Sequence, residues 1–202
     1  MKQFINAFLK LNFPGSNLSM SHFEIETKVH TSVNLGLGFK NSVDEMSTAL
    51  KMAIELFESL FKDETQKVWI IINEYSSLSS NYLLEQFDNL KNNYYDENVY
   101  DEYLEKNRGL FILHKNRNQI NYSKFFQAII NCEDKVEPMI KERIFFIEPN
   151  SKIVFMLWDS VIEIGTNQVS DIKWIYEKYY PFFNDFARKR INKHLKDEFK
   201  KG

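Results

Sequence analysis

Cysteine, proline and glycine are all scarce in this 202-residue sequence, which has one cysteine (Cys132), four prolines and six glycines. One cysteine excludes an intramolecular disulfide and a zinc site built from several cysteines of the same chain. Few prolines and glycines, together with 44% hydrophobic residues, exclude a largely disordered or fibrous chain. We therefore expect a folded protein of a reducing compartment, the cytoplasm.

The sequence also lacks a surplus of one charge and long apolar runs. Its 26 basic and 28 acidic residues give a net charge of -2, whereas dedicated nucleic-acid-binding domains usually carry a basic surplus. Unbroken apolar runs such as residues 68–72 are far shorter than the about 20 residues that cross a bilayer. Polar residues interrupt the apolar N-terminus, which predicts a short helix ended by Pro14-Gly15 instead of a signal peptide. We expect neither a nucleic acid nor a membrane as partner.

Aromatic residues are abundant, with 18 phenylalanines and 10 tyrosines, and they supply the core of one domain over residues 1–202. Ser42 and Glu45 form a capping box, and the apolar spacing behind it predicts a helix over about 43–62. A second amphipathic helical region is predicted over about 170–200, with a kink or restart at Pro181, which lacks a backbone N–H.

Several segments carry strand patterns. Residues 22–37 alternate between apolar and polar, and the length of this stretch predicts a hairpin or bend near 28–32. The apolar run 68–72 predicts a central strand covered on both faces. The remaining strand predictions are residues 110–114, 119–122, 143–148, 152–158 and 161–164. Residues 91–108 are polar and weakly patterned, so no strand is assigned there. The predicted class is α+β, a single domain with a largely antiparallel sheet and hairpins packed by amphipathic helices.

The sequence shows no recognised catalytic motif. Gly36 and Gly38 lack the further glycine of a dinucleotide-binding loop, and the four histidines lack the helical spacing of a metal site. Asp159 and Glu163 are the one pair of carboxylates set in an apolar strand region, where two such groups could act as acid and base. We predict no catalytic residue, no metal and no cofactor.

The acid–tyrosine segment, residues 94–105, is the most distinctive charged stretch. It carries five acidic residues and no basic one. Tyrosine is enriched at protein interfaces, and carboxylates steer a basic partner towards its site. The predicted partner-binding residues are Tyr94, Tyr95, Asp96, Glu97, Tyr100, Asp101, Glu102, Tyr103 and Glu105. A solvated acidic surface is the alternative interpretation of this segment.

The C-terminal third resembles an uncharacterised bacterial group, domain-of-unknown-function family 3885. The resemblance is carried by RIFFIEP at 143–149, FMLWD at 155–159, IYEKY at 175–179 and DFARKRI at 185–191. The family usually has Asp-Asp-Arg-Gly after the second strand, where this chain has Asp159-Ser160-Val161-Ile162. The resemblance implies a bacterial cytosolic α+β protein. Family members also look like small accessory proteins found beside secreted toxins, which implies an immunity role.

Three functional hypotheses follow. The first is a non-catalytic protein-binding module, a cytoplasmic immunity protein that neutralises a basic toxin domain such as a nuclease through the acid–tyrosine segment. The second is an enzyme of unrecognised type that uses Asp159 and Glu163, assisted by Tyr176 or Arg188. The third is a structural subunit of a homo-oligomer. The sequence leaves the oligomeric state and the identity of the partner open.

Overall fold

The computed structural model describes residues 2–16, 25, 27, 29–37, 41–74, 81–86, 94–101, 106–158, 161–183, 188–189 and 192–193. Within these ranges the helices are α1 (Lys2–Asn12), α2 (Val43–Leu60), α3 (Asn81–Glu85), α4 (Tyr122–Asp134) and α5 (Lys173–Tyr179). The strands are β1 (Val29–Asn34), β2 (Lys67–Glu74), β3 (Tyr94–Asp101), β4 (Lys106–Asn116), β5 (Arg143–Glu148), β6 (Ile153–Trp158) and β7 (Val161–Thr166).

The described strands form one seven-stranded sheet in the order β1-β7-β6-β5-β2-β4-β3, and every neighbouring pair is antiparallel. Strands β5, β6 and β7 follow one another as a meander, in which each strand is antiparallel to the next. The predicted α+β class and the hairpin of β5 and β6 are confirmed. In the part of the chain described, no helix is both long and apolar enough to cross a membrane.

Helices α2 and α4 cover one face of the sheet, and Phe57 of α2 lies at the centre of their contact with it. Its ring lies 4.5–5.4 Å from the rings of five other aromatic residues: Phe61, Tyr122, Phe126, Phe146 and Phe155. Aromatic pairs at such distances contribute about 0.5–1.5 kcal/mol each beyond the burial of their area. Phe57 therefore joins α2 to α4 and to the central strands β5 and β6.

Helix α1 covers the opposite face of the sheet. Ile5 and Leu9 are buried in a second apolar cluster that includes Trp69 and Ile71 of β2. The alternate residues of β2 belong to the cluster under α2 and α4. Strand β2 is therefore covered on both faces, and both this prediction and the helix before Pro14 are confirmed.

The predicted capping box begins α2. Glu45 accepts a hydrogen bond from the backbone N–H of Ser42 at 2.7 Å, and the Ser42 hydroxyl accepts one from the N–H of Glu45 at 3.2 Å. These two bonds satisfy donors that a helix start leaves without intrahelical acceptors. The helix predicted over about 43–62 is confirmed as α2.

Two strand predictions are wrong. Residues 119–122 form no strand, because Asn121 caps α4 and accepts from the N–H of Lys124, while a 3-10 turn occupies Arg117–Gln119. The bend predicted near residues 28–32 is also wrong, because residues 29–32 lie within the continuous strand β1. Residue 28 is outside the described ranges. Pairing with β7 keeps β1 extended through this stretch.

The region predicted as helical over about 170–200 is interrupted at Pro181, as predicted, and the described residues 188–189 and 192–193 beyond it are again helical. After α5 a 3-10 turn at Tyr180–Phe182 contains Pro181, and Phe183 is extended and pairs with Val33 of β1 as an isolated bridge. Proline cannot donate the hydrogen bond that would continue the helix. The chain therefore leaves the helix at Pro181 and returns to the edge of the sheet.

We predict that Phe57→Ala lowers the free energy of unfolding by about 3–5 kcal/mol, because the substitution leaves a cavity among five aromatic rings. The matched control is Phe4→Ala, since Phe4 is 67% exposed and touches Trp69 only edge-on. Its expected cost is about 1 kcal/mol or less. Urea unfolding of the unmodified protein and of the two variants measures both losses in the free energy of unfolding. Equal losses in the two variants would contradict the central position of Phe57.

Candidate functional site

The acid–tyrosine segment is largely a strand and not the loop-like stretch that its polarity suggested. Residues Tyr94–Asp101 form β3, which pairs with β4. Tyrosine favours extended backbone, and pairing with an apolar neighbour strand overrides the weak pattern of the segment. Of the predicted contact residues, Glu102, Tyr103 and Glu105 lie outside the described ranges.

The register between β3 and β4 places residues of opposite charge across from one another. Asp101 is paired with Lys106, and Glu97 is paired with Arg108. Arg108 also pairs with the next two residues of β3, because a bulge interrupts the register there. Opposite charges at facing positions favour a hairpin. The acidic residues of the segment outnumber these two basic ones, so the hairpin keeps an acidic surplus.

The two edges of the sheet differ. Strand β1 lies at one edge, and Phe183 forms a backbone bridge to its Val33. Strand β3 lies at the other edge, and its outer side pairs with none of the residues that the structure describes. An edge strand presents a row of backbone N–H and C=O groups that another extended chain can pair with.

Two of the residues considered for catalysis, Glu163 and Tyr176, lie on opposite sides of the sheet. Asp159 is outside the described ranges. Glu163 alternates along β7 with Ile162 and Ile164, which face the core under α2 and α4, so Glu163 lies on the opposite face of the sheet. Tyr176 packs against that same core from α5. The sheet therefore separates Glu163 from Tyr176.

Tyr176 and Arg188 make contacts with their own part of the chain. The Tyr176 hydroxyl donates to Oδ1 of Asn192 at 2.6 Å, and burial raises its pKa. The guanidinium of Arg188 lies 4.9 Å from the ring centre of Tyr180 and donates to the carbonyl oxygens of Tyr180 and Pro181. These contacts hold the segment after α5 in place.

No group of three or more histidine, cysteine, aspartate or glutamate side chains among the described residues could hold a metal ion.

A cleft of about 650 Å³ lies where α2 ends and α4 begins, and sequence reasoning did not predict it. Ile54 and Glu58 of α2, Glu64 of the following loop, Arg117, and Tyr122 and Ser123 of α4 line it. The 3-10 turn is tied to the loop after α2, because the N–H of Arg117 donates to the carbonyl of Gln66 and that of Asn118 to the carbonyl of Glu64. These backbone bonds hold the 3-10 turn beside the loop that carries Glu64.

Four side chains of the cleft form a connected polar row. The Tyr122 hydroxyl donates to Oε1 of Glu58 at 2.6 Å, and Nη1 of Arg117 donates to that hydroxyl at 3.5 Å. Nη2 of Arg117 lies 3.4 Å from Oε1 of Glu64. Burial raises the pKa of the Tyr122 hydroxyl, and its hydrogen bond to the Glu58 carboxylate raises it further. Tyr122 therefore keeps its proton at neutral pH and acts as a donor.

The row joins residues far apart in the chain, since Glu58 and Glu64 precede Arg117 and Tyr122 by more than fifty positions. No spacing rule connects such positions. The clearest signal in the sequence for this polar row is the capping role of Asn121, which places Tyr122 in the first turn of α4. The arrangement supplies one buried cation, one hydroxyl donor and two carboxylates, a set suited to holding a polar ligand.

Comparison with known proteins extends the resemblance found in the C-terminal third. The family described as domain of unknown function (DUF3885) matches residues 5–187, which include every described strand, α2–α5 and most of α1. No curated protein and no solved structure matches the chain. The match covers far more than half of the sequence, and the chain therefore belongs to the DUF3885 family.

Proposed function

We propose that the protein is a non-catalytic protein-binding module that binds a basic partner along β3 and residues 102–105, which follow it in the chain. The observation that carries this proposal is the position of β3 at the edge of the sheet, with an outer side that pairs with no described residue. The opposite edge has its bridge to Phe183. Strand addition at β3 is therefore the simplest way for the sheet to bind another chain.

The chemistry of the segment defines the partner. Asp96, Glu97 and Asp101 lie along β3, and Glu102 and Glu105 follow in the sequence. Backbone hydrogen bonds to an added strand provide affinity, while carboxylates accelerate the approach of a positively charged surface. The partner is accordingly a protein with an extended basic segment or a basic cleft rim.

Neutralisation of a toxin is the biological role that we assign to this binding. A nuclease holds phosphates in a cationic cleft, and an acidic strand inserted beside that cleft would block substrate entry. The resemblance to accessory proteins found beside secreted toxins supports the same role. In this role the protein works as a cytoplasmic immunity protein and needs no cofactor.

The two other hypotheses gain less support. The enzyme hypothesis relied on Asp159 and Glu163 with Tyr176 or Arg188, and Glu163 is separated from Tyr176 by the sheet. A homo-oligomer formed by joining two copies of β3 would bring the acids of both copies together, and like charges at facing positions are destabilising.

The double variant Asp101→Asn/Glu102→Gln tests the proposal. The binding partner for this test is the basic protein that we expect to purify with the native chain and to be encoded beside its gene. We expect association at low salt to slow by about three- to ten-fold and its salt dependence to weaken, since charges at the rim of an interface act mainly through steering. Stopped-flow or surface plasmon measurements at several salt concentrations give both rates.

The control is Glu137→Gln/Glu177→Gln, which removes two exposed carboxylates far from β3 in the chain. We expect its association rate to stay near that of the unmodified protein. Equal slowing in both double variants would show an effect of net charge alone and would contradict β3 as the contact surface. Purification of the native chain with no partner at all would remove the proposal.

A further inference from the structure

We infer that the cleft between α2 and α4 is a binding site for a small oxyanion, a molecule whose carboxylate or phosphate group binds Arg117 in place of Glu64. The site is separate from β3, and neither family membership nor the proposed protein contact assigns it. Its elements are the end of α2, the 3-10 turn at Arg117–Gln119 and the start of α4.

Arg117 is the main reason for expecting an anion. Only 7% of the residue is exposed, yet its guanidinium points into the cleft, where it reaches Tyr122 and Glu64. Its Nε is buried and has no hydrogen-bond acceptor. A buried guanidinium is costly unless anions and acceptors satisfy it, and the present contacts do so incompletely.

Glu64 occupies the position that a ligand anion would take. Its side chain is 73% exposed, and its contact with Arg117 is long at 3.4 Å. Pairs with one such exposed, flexible partner contribute little to stability. The Glu64 side chain can therefore swing into solvent when a carboxylate or phosphate binds the guanidinium in its place.

The start of α4 adds donors for the same anion. The first N–H groups of a helix have no intrahelical acceptor, and the helix dipole favours negative charge there. The first turn of α4 contains no acidic residue, whereas that of α2 contains Asp44 and Glu45. Ser123 lines the cleft in this turn and supplies a hydroxyl.

Glu58 restricts which oxyanions fit. Its carboxylate lies across the cleft and already accepts from the Tyr122 hydroxyl. It can accept a further hydrogen bond from a ligand hydroxyl or amino group, and it repels a ligand with several negative groups. The volume of about 650 Å³ lies in the usual range for small-molecule sites. The expected ligands are small carboxylates or phosphate esters that also carry a hydroxyl or amino group.

Titration calorimetry of the full chain with inorganic phosphate, and separately with acetate, tests the site at constant ionic strength set by sodium chloride. Glu64→Gln should tighten the binding of the preferred anion by about two- to five-fold, because it removes the competing carboxylate from Arg117. Glu177→Gln is the matched control, since Glu177 is an exposed glutamate paired with Lys173 on α5. We expect it to leave the affinity unchanged.

Arg117→Gln should abolish the binding of both anions, with unfolding by urea measured in parallel because the residue is buried. The Glu64→Gln result decides the matter even if the Arg117 variant fails to fold. The site is supported if Glu64→Gln binds phosphate or acetate more tightly while Glu177→Gln does not. The anion whose binding tightens is the one that the site prefers. Unchanged or absent binding in Glu64→Gln, or equal tightening in Glu177→Gln, would overturn the inference.

Discussion

The packing of Phe57 is the contact on which the rest of the structure depends. Its ring touches residues of α4 and of strands β5 and β6, so one side chain fixes the position of both covering helices on the sheet. Tyr122 contacts this ring at 4.7 Å and donates to Glu58 from its hydroxyl. The aromatic core and the polar row of the cleft are therefore joined through Tyr122, and the shape of the cleft follows from the packing of the core.

The edges of the sheet are the parts that other molecules can contact, because helices cover its central strands on both faces. At the β1 edge the chain covers itself, since Pro181 interrupts the helical region and Phe183 pairs with Val33. Strand β3 at the other edge carries three of the five acids of the acid–tyrosine segment, Asp96, Glu97 and Asp101. Acidic residues on an edge strand also discourage pairing between identical copies. The same residues can thus prevent self-association and attract a basic partner.

Features set by neighbouring residues could be predicted from the sequence, and features set by distant contacts could not. The capping box of α2 and the hairpin of β5 and β6 depend on residues a few positions apart. Strand β3 exists because β4 pairs with it, which its own polar pattern does not reveal. The ion pair of Arg117 with Glu64 likewise joins two loops by tertiary packing. For this reason the sequence indicates the β3 edge only as a charged segment and does not indicate the cleft.

Hydrogen–deuterium exchange of the protein alone and bound to its basic partner tests the central claim most directly, because strand addition must protect backbone amides of the edge that receives the new strand. We expect exchange in Tyr94–Asp101 to slow by about ten-fold or more in the complex, while exchange in Val29–Asn34 is unchanged. Unchanged exchange in Tyr94–Asp101, with new protection in Val29–Asn34 or elsewhere, would contradict it.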